Sequence, residues 1–221
     1  EAGQSLWGGL ADGPGISVRP GFGAHGSLKD SSSTDVVVHG GKIVSTFYQC
    51  GEAYWLDPET LEQGGVASWA PLDGVSAHTK VDEATGELLF FNYSKQAPYM
   101  HYGVVDKDGR RVHYTSVPLP GPRLPHDMAF SANYSILNDF PVFWDQDLLA
   151  QNLHVVRMHE GLPSRFAVIP RYGNEADIRW FEAAPTYVLH WLNAYEDGDE
   201  VVMDGYFQED PCPTRLGAWP T

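Results

Sequence analysis

Apolar positions along this chain come in short runs separated by glycine, aspartate and proline turn chemistry. That pattern predicts a succession of β-hairpins. Residues 34–39 and 42–49 flank Gly40-Gly41, and paired glycines supply the positive φ angles that a primed two-residue turn requires. Residues 53–56 continue as a strand until Asp57-Pro58-Glu59-Thr60 closes it. Two more hairpins join 77–81 to 87–93 across Asp82-Glu83-Ala84-Thr85-Gly86, and 100–105 to 110–117 across Asp106-Lys107-Asp108-Gly109. Residues 127–131 are expected to pair with 134–138, and 186–195 with 200–207 across Glu196-Asp197-Gly198-Asp199. Only 145–153 has a helical look.

Consecutive hairpins without helical crossovers mean antiparallel sheets, so the chain reads as all-β, and a sandwich, a closed barrel and a propeller are open to it. Blade-like units recur at intervals of about 40 to 60 residues, near propeller repeat lengths. This favours a propeller in one domain over 1–221, although no repeated signature adds to it. An apolar fraction of 43% argues against disorder, and 13% aromatic content, with 7 Trp and 11 Tyr, suits half-buried β surfaces.

Fourteen Lys+Arg stand against 29 Asp+Glu, a formal charge of -15. Such a surface repels phosphate backbones and anionic headgroups, which makes nucleic acid a poor partner. Cys50 and Cys212 are the only cysteines, too few and too far apart for a disulfide framework or a zinc-ligand pair, so a reducing, cytoplasmic location is expected. Asn92-Tyr93-Ser94 and Asn133-Tyr134-Ser135 match the glycosylation pattern but fall in strand-like stretches and read as chance matches. There is no apolar run long enough to span a bilayer, and Glu1-Ala2-Gly3-Gln4 lacks the features of a signal peptide, so the chain reads as soluble. The absence of an initiator Met and the close of the chain soon after a hairpin lead us to expect cut ends.

Of nine histidines, three stand out by local pattern. His190 lies in 186–194, a stretch without charge, and is expected to be buried and therefore either hydrogen-bonded in the core or bound to metal. His78 and His126 are expected to open strands, after Gly74-Val75-Ser76-Ala77 and Pro122-Arg123-Leu124-Pro125. In a propeller the innermost strand of each blade lines the axis, so histidines from successive blades can converge. Singly, each is more often a structural histidine. His25 lies in a glycine-rich loop, His39 beside a turn, His101 and His113 on one hairpin among tyrosines, and His154 and His159 on a mixed polar stretch, and His159-Glu160-Gly161 lacks the second histidine of a zinc-protease motif. No nucleophile elbow, phosphate loop or dinucleotide fingerprint occurs.

Those three contexts carry a resemblance. Ala77-His78-Thr79-Lys80-Val81-Asp82, Pro125-His126-Asp127-Met128-Ala129 and His190-Trp191-Leu192-Asn193-Ala194-Tyr195-Glu196-Asp197 resemble the iron-ligand segments of carotenoid cleavage oxygenases. Asp30-Ser31-Ser32-Ser33-Thr34-Asp35-Val36, Tyr54-Trp55-Leu56-Asp57-Pro58 and Ile169-Pro170-Arg171 are similar to further landmarks, and the likeness runs over about 31–206 in the family's order. The resemblance implies a seven-bladed β-propeller, of which this chain would cover about half. It implies ferrous iron, Fe(2+), on the axis, with His78, His126 and His190 as three of four histidine ligands. Four neutral nitrogens leave coordination positions open for oxygen or substrate. The family's fourth histidine lies nearer the C-terminus than this chain extends, so the chain is expected to be about half of an enzyme.

The resemblance also places Gln49 where family members carry a glutamate that accepts the free N–H of a ligand histidine. A carboxamide can still accept that bond but brings no charge. Stilbene-cleaving members hold a phenol oxygen with a lysine one position earlier, where Tyr48 stands here, so an apocarotenoid or another conjugated alkene is the expected substrate. Phe47, Phe91 and Trp144 are candidates for an apolar tunnel as well as for simple core. The partners implied are that apolar molecule and O2, with membrane contact and oligomeric state left open. The competing readings are a non-catalytic propeller scaffold with a vestigial site, and a His/Asp metal hydrolase using Asp127, which alternation would turn away from His126.

Overall fold

The computed structural model describes residues 32–149, 156–208 and 211. Strands β1 (Asp35–His39), β2 (Lys42–Thr46), β3 (Tyr54–Leu56) and β4 (Gln63–Val66) form one four-stranded antiparallel meander. β5 (Lys80–Asp82), β6 (Glu87–Tyr93), β7 (Met100–Val105) and β8 (Arg111–Ser116) form the next. The third contains β9 (Ala129–Phe130), β10 (Tyr134–Asp139), β13 (Ser164–Pro170) and β14 (Arg179–Ala183). Between β10 and β13 the chain leaves this sheet to form a two-stranded ribbon, β11 (Val142–Trp144) with β12 (Val156–Met158). β15 (Tyr187–Asp197) pairs with β16 (Glu200–Gln208), and the order is that of consecutive propeller blades.

The expected hairpins form. Gly40 and Gly41 adopt φ of 56° and 73°, as a primed turn needs. Several strands are shorter than the apolar runs suggest. β2 stops at Thr46 because the chain turns through 48–50. β5 begins only at Lys80, since His78 takes a left-handed φ of 60° that no strand accommodates, and β9 begins only at Ala129. The sequence reading missed β4, β11, β12, β13 and β14. The helical stretch is one turn, α1 (Gln146–Leu149), capped by the Asp145 carboxylate accepting the N–H groups of Asp147 and Leu148; the rest of that prediction lies outside the described residues.

Alternation explains how the blades stack. β6 is buried throughout. Leu88 and Phe90 enter one apolar cluster with Val44 of the first sheet and with Ala53 and Trp69, which flank its last two strands, while Leu89, Phe91 and Tyr93 enter another with Leu137 and Ile169 of the third and with Met128 just before it. β10 is likewise two-sided: Leu137 joins the second cluster, and Ile136 joins a third with Val188 and Trp191 of β15. Each large side chain so buried contributes about 1.5–3 kcal/mol. Phe91 and Trp144 are therefore core residues rather than tunnel walls, and Phe47, 3% exposed, is packed beside Tyr48.

Polar stitches join the same neighbours. Arg171, 5% exposed, donates from Nη1 to Asp82 Oδ2 (2.5 Å) and Glu87 Oε2 (2.9 Å), and from Nη2 to the Ser131 carbonyl (2.9 Å). The Tyr172 hydroxyl donates to the other Glu87 oxygen. Glu196 of β15 accepts from Ser131 Oγ (2.6 Å) and from the backbone and side-chain N–H of Asn133 (2.8 Å each), which leaves Asn133 engaged within the fold. The other glycosylation candidate, Asn92, is buried, with Nδ2 donating to the Gly74 carbonyl and the Tyr114 hydroxyl (3.0 Å each).

Arg171→Met would leave two carboxylates at a buried site without their cation. We expect it to cost about 3–5 kcal/mol, measured by denaturant unfolding. Burial raises the Asp82 carboxyl, but the Arg171 and Ala84 hydrogen bonds outweigh it and hold the group below its usual range. Its contribution is thus present above the unfolded value of about 3.9 and lost as pH falls through the lower folded value. Acid unfolding of Arg171→Met should accordingly depend less steeply on pH in that window.

Candidate metal centre

Each of the first strands of the second, third and fourth blades brings one histidine toward the same point. His78 lies two residues before β5, His126 three residues before β9, and His190 within β15. A β-bulge aims His190: Val188 pairs with Phe207 and Trp191 with Gly205, so β15 carries one extra residue between these pairs, and bulges re-aim side chains. His78 is directed by its left-handed backbone, of the kind that costs about 1–3 kcal/mol and persists only where the surroundings enforce it. The segment before it is fixed by the Val75 N–H donating to the Gly51 carbonyl (2.8 Å) and the Ser76 N–H to the Phe91 carbonyl (2.9 Å).

His78 Nε2 lies 3.1 Å from His126 Nε2 and 3.3 Å from His190 Nε2, and one ligand atom from each of the three lies within 4.8 Å of the others. Two imidazole nitrogens held about 2.1 Å from one ion at a right angle lie about 3.0 Å apart, so the two short edges match adjacent positions around a metal. His78 Nδ1 is 3.2 Å from Asp35 Oδ2, at the start of β1 in the first blade. An ionised carboxylate only accepts, so this Nδ1 donates and Nε2 presents its lone pair to the cluster. Burial lowers the pKa of His126 to about 4, with the positive charge of its His78 and His190 neighbours adding to the effect. Burial also lowers His78, more than Asp127 and Asp35 raise it. Neutral imidazoles are the form that binds a metal ion, and the donor set fits one.

His190 is exposed rather than buried as expected, because among the described residues β15 has only β16 beside it in its sheet. Gln49 sits in the turn after β2, where its Nε2 donates to the Tyr48 hydroxyl (2.8 Å), and the Tyr48 ring centroid is 6.1 Å from that of His126. Asp127 faces no open site: Oδ1 accepts the Met128 N–H (2.8 Å) and pairs with Lys80 Nζ (2.7 Å), and Oδ2 accepts the Trp191 N–H (2.9 Å). With both oxygens engaged it is not poised as a hydrolytic base. Asp35 went unnoticed as a histidine partner; its place in a family-like segment was the available signal, but its pairing with His78 spans 43 positions.

The remaining described histidines are structural. His39 Nε2 meets the Gly86 carbonyl (3.1 Å), His101 stacks on Tyr114, His113 Nε2 meets the Gly173 carbonyl (2.9 Å), and His159 stacks on Phe143. His25, His154 and Cys212 lie outside the described residues. Cys50 is a free, buried thiol whose pKa burial pushes up to about 12, so it is neutral and unreactive. Among the described residues no helix is long and apolar enough to cross a membrane.

Comparison with known proteins places this geometry. Residues 1–217 match the Retinal pigment epithelial membrane protein family. Carotenoid 9,10(9',10')-cleavage dioxygenase 1 of Phaseolus vulgaris is 31% identical over 196 residues, covering 85% of this chain and 36% of that protein. Isoeugenol monooxygenase of Pseudomonas nitroreducens is 33% identical over 182 residues, covering 78% and 37%. The chain thus spans well under half the length of these relatives. Among solved structures, Pseudomonas brassicacearum lignostilbene dioxygenase superposes with a TM-score of 0.71 at 28% identity, over 79% of this chain and 38% of that one. Cobalt-substituted Synechocystis ACO shares the fold, with a TM-score of 0.66 at 20% identity over 80% of this chain and 40% of that one. The converging histidines, the blade order and the match along nearly the whole chain lead to one assignment: this chain belongs to the carotenoid cleavage oxygenase family of β-propeller proteins.

Proposed function

We propose that this chain supplies three histidine ligands, His78, His126 and His190, to the ferrous iron of a non-haem dioxygenase that cleaves a carbon–carbon double bond of an apocarotenoid or similar conjugated alkene. The observation that carries the reading is the approach of three imidazole Nε2 atoms from three successive blades. When bound, iron would supply activation of O2. The balance is one alkene and one O2 giving two carbonyl products, with one oxygen atom in each. Burial favours the neutral form of the His78 and His126 imidazoles, and Asp35 orients the His78 ring. Gln49 is proposed as an outer partner of the ligand set, a carboxamide in place of a charged glutamate. A tyrosine rather than a lysine at position 48, with its ring near His126, supports an apolar alkene over a phenolic stilbene.

Anaerobic reconstitution of the full-length protein with Fe(II) should give one iron per chain by elemental analysis. Alanine at His78, His126 or His190 should lower alkene cleavage, followed by chromatography of the carbonyl products, by more than about 100-fold, the upper range for losing even an outer partner. A full-length protein that takes up no iron would leave the scaffold reading in its place.

Asp35→Ala frees the His78 ring and should weaken metal binding by about 10-fold or more. Gln49→Glu restores a charged acceptor and should tighten it by several-fold, up to about 10-fold. Competition titration with a chromogenic chelator reads both.

A further inference from the structure

Asp127 is 2% exposed and neither belongs to the ligand set nor faces an open site. Its three partners lie one on each of the three histidine-bearing segments. Lys80 follows His78 by two residues, Met128 follows His126 by two, and Trp191 follows His190 by one. Asp127 itself follows His126 directly. One buried carboxylate therefore touches all three histidine-bearing segments, which lie in different sheets and are separated by 48 and 64 positions along the chain.

The backbone of β15 is arranged to make this contact. The register slips on both sides of Trp191, first between Val188 and Trp191 and again between Trp191 and Asn193. Irregularities of this kind release backbone groups from the ladder, and the Trp191 N–H is given to Asp127 Oδ2 instead. The indole is held on the other side by its Nε1 donating to Asn138 Oδ1 (3.1 Å). Opposite it stands Gly205, where a Cβ would lie 2.9 Å from the Trp191 ring. The bulge that aims His190 is thus anchored at its next residue by the carboxylate adjoining His126. The Lys80 ammonium, itself partly exposed, balances the buried charge and draws in the strand that His78 precedes.

We infer that Asp127 is a positioning residue, a three-way clip that sets the mutual spacing of His78, His126 and His190 from outside the ligand set. The inference rests on the metal-centre reading above. A charged acceptor with two backbone N–H bonds and an ammonium partner has no slack, since moving any one segment breaks a charge-assisted bond at a buried site. A core of apolar contacts alone would let the segments slide by fractions of an ångström, enough to spoil a metal site.

Cobalt(II) binding to the full-length protein tests this, because the ion reports both affinity and ligand geometry through its visible spectrum. Asp127→Asn should weaken Co(II) binding roughly 10- to 100-fold and shift the absorption bands. Glu87→Gln is the comparison: Glu87 is a buried carboxylate paired with Arg171 (2.9 Å), and neither residue lies in a segment that bears one of the three histidines. It should lower the melting temperature while leaving Co(II) affinity and spectrum unchanged. If Asp127→Asn does not fold, Lys80→Met removes one arm of the clip and should produce a smaller loss of affinity with a band shift in the same direction. Equal affinity and an identical spectrum in Asp127→Asn, or in Lys80→Met where that variant stands in for it, would overturn the inference while leaving the metal centre intact. A wild-type protein that takes up no Co(II) would overturn the metal-centre reading and this inference with it.

Discussion

Everything in this fold depends on the face-to-face burial of its sheets. The strands in the middle of the second and third blades are apolar on both faces, so neither blade has a side that can be left to water. A sheet of that kind must be covered twice, and stacking one blade against the next is how this chain does it. Twisted sheets stacked in sequence fan about an axis, and the first strand of each falls nearest that axis. The place where His78, His126 and His190 meet follows from this packing. No segment of the chain brings them together locally.

Charge is used in a complementary way. The side chains that cross from one blade to its neighbour are, repeatedly, buried or half-buried ions with several partners: Arg171 between the second and third blades, Glu196 between the third and fourth, Asp127 among all three histidine-bearing segments. Apolar contacts tolerate sliding, whereas a multiply bonded ion fixes register. Buried ion pairs add little net stability over well-packed apolar residues, and their best-attested use is specificity of this sort. For a site assembled from separate blades, that specificity is the property the chemistry requires.

The same logic explains the backbone irregularities near the site. A left-handed residue at His78 and register slips around Trp191 each shorten or distort a strand that would otherwise run on. Regular strands would point these imidazoles according to the pleat alone. The distortions release them from that alternation and aim them at one another, and the surrounding hydrogen bonds hold the departures in place.

The amino-acid sequence by itself determined the all-β class, most of the hairpins and the three histidines worth noticing, because alternation, turn residues and family-like motifs are local signals. It placed Gly40-Gly41 and the Asp82-to-Gly86 turn well, and it missed the strands of 63–66, 142–144 and 156–183: Gln63–Val66 carries one large apolar side chain, Val142–Trp144 is an apolar run of only three residues, and Ser164–Pro170 mixes polar with apolar residues and pairs with a strand well before it in the chain. It could not give the exposure of His190, which reflects what lies beside β15 rather than the composition of β15. Asp35 beside His78 and Asp127 beside Lys80 and Trp191 were decided by tertiary structure alone. An aspartate reads the same in any turn, and only the stacking of blades determines which ring or which backbone N–H it will meet.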